Sequence, residues 1–572
     1  MVNNAEIAAM LYQLAELMDL KGDVFKRNAY RRAAQSVEAL DEDVSRYLAR
    51  EELESIPGVG KAIAQKIREM VETGGLRKLD ELRAEYPPGV VELMKVPDIG
   101  PRTAVTLYRE LGIRDLDGLR EAAERHRIRS LKGFGERTEE NILKGLALVQ
   151  GQGGRMLLGR ALPIAESFAR HLQAKGFEEV SVAGSLRRWR ETIGDIDLLV
   201  GSDEPLRAMD AFTAYPSVAA VVSKGPTRST VRLADGTQVD LRVVPRSSYG
   251  AALQYFTGSK EHNVVMRRLA IQRGLRLNEY GLFSREGEEM VAGRDEASIY
   301  GALDLEWVPP ELREDRGEIE EAAAHRLPPL VREEDILGDF HVHTVMSDGR
   351  ATMREVAMAA REKGYEYIGV TDHSRSLYIA HGVPIDDLLA SVDEAHQLTE
   401  ELGIEVLRGA EVDILDDGTY DYPEDVLAQL DYVIGSVHSG FKMTRERMTE
   451  RILTALSCRE LNILGHPSGR LIGKRDGYQV DMDQVIEEAA RRGVMLEVNG
   501  SIERLDLNDL NCRKARELGA MVALNTDSHS LGQLDSMRYA VHTARRGWLG
   551  KEMVLNALPL EKVRAIFDGR ST

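Results

Sequence analysis

From residue 339 onward come seven short apolar runs, six of which carry histidine or a carboxylate at or beside their C-terminal ends. They read Asp-Phe-His-Val-His-Thr (339–344), Tyr-Ile-Gly-Val-Thr-Asp-His (367–373), Glu-Val-Leu-Arg-Gly-Ala-Glu-Val-Asp (405–413), Tyr-Val-Ile-Gly-Ser-Val-His (432–438), Asn-Ile-Leu-Gly-His-Pro (462–467), Met-Leu-Glu-Val-Asn (495–499) and Val-Ala-Leu-Asn-Thr-Asp-Ser-His (522–529). Amphipathic helical text separates them. Repeated strand–helix units predict a parallel barrel, and such a barrel gathers its functional residues at the C-terminal ends of its strands. Those ends carry His341, His343, Asp348, His373, Glu411, His438, His466, Asp527 and His529. A lone histidine is ordinarily a core or surface residue. Metal-competent residues at one strand end after another point to a shared metal centre.

A second constellation lies at 184–200, Gly-Ser-Leu-Arg-Arg-Trp-Arg-Glu-Thr-Ile-Gly-Asp-Ile-Asp-Leu-Leu-Val. Asp195 and Asp197 alternate on an apolar run, and strand residues two apart share a face. Two carboxylates so placed repel unless cations lie between them, which predicts a divalent-metal site. Gly184 and Ser185, with Arg187 and Arg188, read as a strand-to-helix turn offering backbone N–H groups to phosphate. Asp240, in Thr-Gln-Val-Asp-Leu-Arg-Val-Val (237–244), supplies a third carboxylate. Three carboxylates, two metals and a phosphate cradle make a phosphoryl-transfer site.

The N-terminal third repeats a glycine turn opening an amphipathic helix. It appears in Ser-Ile-Pro-Gly-Val-Gly-Lys-Ala-Ile (55–63), in Val-Pro-Asp-Ile-Gly-Pro-Arg-Thr-Ala (96–104), where Asp98 is unfriendly to phosphate, and in Leu-Lys-Gly-Phe-Gly-Glu-Arg-Thr (131–138). Gly58, Gly60 and Gly100 let backbone approach a phosphate closely. These turns look like helix-hairpin-helix motifs, which grip DNA backbone without reading sequence. The net charge of −19 over 572 residues excludes a chain coated in basic patches, so DNA affinity must come from local clusters and backbone N–H contacts. Two cysteines, Cys458 and Cys512, form no disulfide framework, and with no signal peptide or long apolar run the expected location is cytoplasmic, with no membrane partner. Charge-rich, proline-bounded text after residue 307 reads as a linker.

The region from Gly184 resembles the nucleotidyltransferase core of the family X DNA polymerases. The resemblance rests on Gly-Ser-x-Arg-Arg, Gly-Asp-x-Asp, the distant Val-Asp-Leu-Arg, Tyr-Phe-Thr-Gly-Ser at 255–259, Asn263, Arg267 and Leu-Asn-Glu-Tyr at 277–280. It implies that Asp195 and Asp197 hold two metals and that Asp240 binds the catalytic one beside the primer 3′-hydroxyl. It further implies that Gly184, Ser185 and Arg188 hold the triphosphate. Tyr255, Phe256 and Gly258 would line the nucleotide pocket, Asn263 would touch the base, Arg267 would touch the template strand, and Arg242 would pair with Glu279. Gln238 stands where relatives often carry a basic residue. Phe-Lys-Arg-Asn-Ala-Tyr (25–30) and the first hairpin resemble the small N-terminal domain of these polymerases, which places Lys26 at a phosphate-binding position and Lys66 at a Schiff-base lyase position. Ala62 replaces one lysine of that pocket.

The strand-end histidines resemble the PHP (polymerase and histidinol phosphatase) family. The resemblance implies a trinuclear centre: His341, His343, Glu411 and Asp527 on one ion; Asp348, His373 and His529 on a second; Glu411, His438 and His466 on a third. Zinc, manganese or iron suits such ligands, and magnesium or manganese suits the carboxylate site. The fold class expected is multidomain α+β and α/β. It comprises a lyase-like helical domain at 1–85, a second helical DNA-binding subdomain at 86–150, a nucleotidyltransferase palm at 151–245, a thumb at 246–318, a linker at 319–338 and a distorted (β/α)7-type PHP barrel at 339–572. The expected function is gap-filling repair synthesis on gapped or primer-template DNA with deoxynucleoside triphosphates, beside a 3′–5′ exonuclease; abasic-site cleavage and 3′-phosphatase activity remain open. A template-independent tailing enzyme and an inactive DNA-binding scaffold are the alternatives, and the DNA-gripping turns and intact ligand sets argue against them.

Overall fold

A computed structural model describes residues 4–571 apart from 39, 41–42, 97–98, 132, 152–154 and 285–288. The chain divides into two compact units, Met1–Gly154 and Arg155–Thr572.

The first unit is helical around its own apolar core, which includes Ile7, Leu11, Ile67, Leu107 and Leu119. Each glycine turn foreseen in the sequence follows one plan. A short 3-10 turn at Leu53–Ser55, Leu93–Lys95 or Ile128–Ser130 precedes a helix at Lys61–Thr73, Pro101–Leu111 or Glu136–Gly151. Gly58 has φ +76°, a conformation only glycine adopts without strain. Gly60 and Gly100 cap their helices with open space where a Cβ would stand. Asp98 and Lys132 lie outside the described residues.

The second unit contains a five-stranded sheet in the order Glu179–Val182, Ile196–Gly201, Gln238–Val244, Arg228–Leu233, Val218–Lys224. Its second and third strands run parallel, with Asp197 in register with Asp240. Parallel partners at the same height point their side chains the same way, so two distant carboxylates become neighbours. Helices Leu158–Ala174 and Pro205–Thr213 bury Phe168, Leu172, Met209 and Phe212 against the sheet. Helices Tyr249–Thr257, Lys260–Gln272 and Glu296–Ala302 then pack with a three-stranded sheet around Met266, Ile299 and Leu303.

Seven parallel strands follow in sequential order, from Gly338–Asp339 to Val522–Asn525. A bridge between Val342 and Ser528 brings the first strand's end to the last, with His343 N donating to Ser528 O at 2.8 Å. The result is a nearly closed barrel. The charge-rich text read as a linker is packed instead. Ile319 and Ala322, on helix Glu318–Ala323, join the core around Ile299, while Val331 and Ile336 join the barrel core. Its apolar anchors are too few and too widely spaced to show as a period.

Candidate metal centres

One oxygen each of Asp195, Asp197 and Asp240 lie within 4.8 Å of one another. Asp197 is on the strand as expected, but Asp195 is not: it lies in the bend just before Ile196 and is exposed. The pair converges because the chain turns there; strand alternation does not place Asp195, and it is parallel register that brings Asp240 beside Asp197. Thr230 Oγ1 donates to Asp240 Oδ1, and Gln238 Nε2 donates to Oδ2 at 2.8 Å. Gln238, the departure seen in the sequence, thus orients the carboxylate it precedes. Burial pushes the Asp197 carboxyl up to about 7, helped by the negative charges of Asp195 and Asp240. A cation in their midst would reverse that shift by favouring the charged form.

Gly184 and Ser185 open a single helical turn, Gly184–Arg187. Gly184 has φ +62°, and a Cβ there would lie 2.5 Å from Asp197 Oδ2; glycine lets the turn press against the carboxylate. Arg188 donates from Nε to Glu314 at 3.1 Å and from Nη1 to Thr257 O at 2.5 Å. Gly258, φ +69°, would meet the same guanidinium if it carried a Cβ. Tyr255 and Phe256 meet edge-on at 5.1 Å. Asn263 donates to Tyr255 O at 2.7 Å and accepts from Gln254 at 2.8 Å, and Arg267 is exposed, its Nε on Asn263 O at 3.2 Å. The expected Arg242–Glu279 ion pair does not form among the described residues. The Arg242 guanidinium instead lies 4.4 Å from the centre of the Phe256 ring, a cation–π contact that strand and helix proximity allows.

In the helical unit Lys26 Nζ pairs with Asp23 at 2.7 Å. Lys66 Nζ donates to Ala62 O at 3.1 Å and stands 5.9 Å from the Tyr30 ring centre.

The barrel brings all nine strand-end residues to one place. Ligand atoms of His341, His343 and Asp527 lie within 4.8 Å of one another, as do those of His343, Asp348, His373 and His529, and those of His373, Glu411 and His438. Glu411 is central. Its Oε2 is 3.4 Å from His341 Nε2 and 3.6 Å from His343 Nε2, while its Oε1 is 3.3 Å from His438 Nε2 and 2.9 Å from His466 Nε2. His343 also reaches the second group, and His373 also reaches Glu411, so the three sets overlap more than the resemblance implies.

The donor set fits metal ions. His341 Nε2, His343 Nδ1, His373 Nδ1, His466 Nδ1 and Glu411 Oε2 are buried without a hydrogen-bond partner. Each such atom costs about 1–3 kcal/mol if left unsatisfied. His373 Nδ1 and Glu411 Oε2 are 2.8 Å apart yet do not hydrogen-bond, as expected of two groups aimed at a common third. Burial lowers His343 to about 4, with the neighbouring charges of His373 and His529 acting in the same sense. Burial alone would also lower His438, but the charge of Glu411 and the hydrogen bond to Asp413 raise it to about 10.

Four families of known proteins match parts of the chain: a helix-hairpin-helix domain over residues 2–76, a SAM-like helix-hairpin-helix tandem over 90–147, the DNA polymerase beta thumb over 252–314 and the PHP domain over 339–501. The DNA polymerase/3′-5′ exonuclease PolX of Bacillus subtilis is 38% identical over 569 residues, 99% of each chain. The chain belongs to the family X DNA polymerases that carry a PHP domain. DNA polymerase lambda of Rattus norvegicus is 29% identical over 299 residues, 49% of each chain. A probable phosphatase of Thermoanaerobacter sp. is 31% identical over 231 residues, 38% of this chain and 89% of its own.

Several residues around the two candidate centres were not foreseen. Glu497 Oε1 faces His341 Nδ1 at 2.6 Å, and its Oε2 accepts from His466 N at 2.6 Å. Asp413 Oδ1 faces His438 Nδ1 at 2.6 Å. Such carboxylates fix the tautomer and orientation of a ligating imidazole. A signal existed: Asp413 and Glu497 both sit on barrel strands that end at the site, Asp413 two residues after Glu411. Glu296 was also missed. Buried, it accepts bidentate bonds from Arg187 and Arg313 at 2.7–3.1 Å. Among the described residues, no helix is long and apolar enough to cross a membrane.

Proposed function

We propose that this chain is a gap-filling DNA polymerase with a separate 3′–5′ exonuclease in its barrel. The observation that carries the reading is the presence of two chemically distinct donor sets in one chain: three carboxylates, two on the sheet and one in the adjoining bend, and a histidine-rich cluster of nine at the barrel mouth.

Asp195 and Asp197 would hold two ions, and Asp240 would share in holding the one that serves the primer terminus. Magnesium or manganese suits this all-oxygen set and, when bound, would supply the positive charge that activates the primer 3′-hydroxyl and offsets charge on the transferred phosphoryl group. Thr230 and Gln238 keep Asp240 in one orientation. Gly184, Ser185 and Arg188 hold the triphosphate, and Tyr255, Phe256, Gly258 and Asn263 shape the nucleoside pocket, with Arg267 toward the template. The barrel set, rich in imidazole, suits zinc, manganese or iron. Glu411 would serve more than one ion, and Glu497 and Asp413 hold His341 and His438 in place. DNA is gripped through the glycine turns at Gly58, Gly60 and Gly100, with Lys26 at a 5′-phosphate. Lys66 is the candidate for Schiff-base chemistry, although its amine donates to a helix carbonyl here. DNA and deoxynucleoside triphosphate substrates favour a cytoplasmic setting.

The test is a separation of function on a one-nucleotide gapped duplex and on a 3′-labelled single strand. Asp240→Ala should abolish nucleotide addition and keep the exonuclease. His341→Ala with His343→Ala should do the reverse. Loss of both activities in either variant, or of neither, would reject the two-site assignment.

A further inference from the structure

The barrel helix Met537–Arg546 turns a face toward the nucleotidyltransferase sheet. The His542 ring stacks flat on Trp189, with centroids 3.5 Å apart and planes 2° from parallel. Trp189 is the residue after Arg188. At the end of the helix, Arg546 Nη1 donates to the backbone carbonyl of Arg188 at 2.6 Å and to Glu314 Oε1 at 3.0 Å. Glu314 in turn receives Arg188 Nε at 3.1 Å and Arg190 Nη1 at 3.2 Å. Arg546 Nη2 is fixed by Asp509 at 2.7 Å, a carboxylate that also takes Arg316 at 3.0 Å. Arg546 and Glu314 are almost wholly shielded from solvent.

We propose that Arg546, a barrel residue, is a positioning residue for nucleotide addition. It holds Arg188 twice, through its own carbonyl and through the carboxylate that grips its side chain. Guanidinium geometry is what makes this double hold workable, because its forked donors serve Arg188, Glu314 and Asp509 at once. Charge points the same way. Four guanidiniums, of Arg188, Arg190, Arg316 and Arg546, gather on two carboxylates, Glu314 and Asp509. The surplus is positive, and an incoming triphosphate would offset it. The polymerase site is therefore completed by the nuclease domain, and the two cannot be separated without cost to nucleotide binding. The inference rests on the reading of Arg188 as a triphosphate ligand.

A double-mutant cycle on the full-length chain tests it, using single-turnover incorporation into a one-nucleotide gap to give the apparent Kd for the nucleotide. Arg188→Ala should weaken nucleotide binding; if it does not, the reading of Arg188 itself fails. Arg546→Ala should weaken it about tenfold, since both holds on Arg188, the bond to its carbonyl and the charge-assisted bond to the shielded Glu314, are lost. The barrel exonuclease, measured on a 3′-labelled single strand, should persist and so report an intact fold. Arg546→Lys should recover only part of the loss, and it replaces the alanine variant in the cycle if that variant does not fold. The double variant should bind nucleotide no worse than Arg188→Ala alone, because Arg546 acts through Arg188. Additive losses, or an unchanged Kd in the Arg546 variants, would overturn the proposal.

Discussion

Gly184→Ala is the sharpest probe of how the carboxylate site is built. Gly184 has φ +62°, and an added Cβ would stand 2.5 Å from Asp197 Oδ2, where ordinary contact begins at 3.4 Å. Two penalties follow. A left-handed alanine costs about 1–2 kcal/mol, and the carboxylate or the turn must retreat by about 1 Å, a displacement that lowers a chemical step by about 100-fold when it moves a reacting or metal-holding group. The assay is single-turnover addition of one nucleotide to a gapped duplex at saturating nucleotide and magnesium. A fall of about two orders of magnitude in the rate is expected, with the 3′–5′ exonuclease unchanged because the barrel shares none of these residues. Gly236→Ala is the control. Gly236 also has positive φ, +88°, but nothing lies within 4 Å of its missing Cβ, so it carries the backbone strain without the collision and should keep its rate. A Gly184→Ala enzyme within a factor of about three of the wild type, or a Gly236→Ala enzyme equally slow, would refute the argument that contact with Asp197 is what requires glycine.

Three further outcomes are expected. Burial alone would push the Glu311 carboxyl up, but the His542 hydrogen bond and the Arg545 charge outweigh it and hold the group at about 2. Its stabilising contribution, on the order of 3 kcal/mol, is full above the ordinary carboxylate pKa and disappears as pH falls from about 4.5 toward 2; urea unfolding across that range should show Glu311→Gln less acid-sensitive than the parent, and an identical pH slope would dismiss the pairing. Short gaps bearing a 5′-phosphate should be filled faster than gaps lacking it, with the advantage shrinking as salt rises. Lys26→Ala should blunt that preference, and equal rates on both substrates at low salt would remove the role. Protein purified without added metal should retain zinc, manganese or iron, and the His341→Ala, His343→Ala variant should retain clearly less by elemental analysis; equal metal content would place the bound ions elsewhere.

The sequence was most informative where function depends on short-range periodicity. The barrel's metal-competent residues fall at strand ends, so each announces itself beside an apolar run, and all nine converge in the structure. Asp197 and Asp240 were legible for the same reason, since each lies on a strand. Asp195 joins them from a bend, which no alternation rule describes. The N-terminal glycine turns were equally local, and the third, at 131–138, falls within the matched helix-hairpin-helix tandem. Arg242 was read as an ion-pair partner because charge is visible in a sequence, whereas the Phe256 ring that receives it is fourteen residues away on another element.

The unread interactions share one property: their partners are far apart in the chain. Glu497 serves His341 across 156 residues, and Arg546 reaches Glu314 across 232. No periodicity records such pairs, because each is decided by which elements the finished fold brings together. They are also mostly buried charges, which are tolerated only when paired. A run such as Glu-Leu-Arg-Glu-Asp-Arg at 311–316 therefore looks, in one dimension, like solvated linker text. In three dimensions it is the opposite. Glu311 and Glu314 bind the barrel helix, and Arg313 completes the buried Glu296 site. A charge-dense segment between two domains thus has two physical fates, solvated spacer or ionic seam. What separates them is whether each domain offers complementary charges at the right distance. Here Arg188 and Arg190 on one side, with His542, Arg545 and Arg546 on the other, do so.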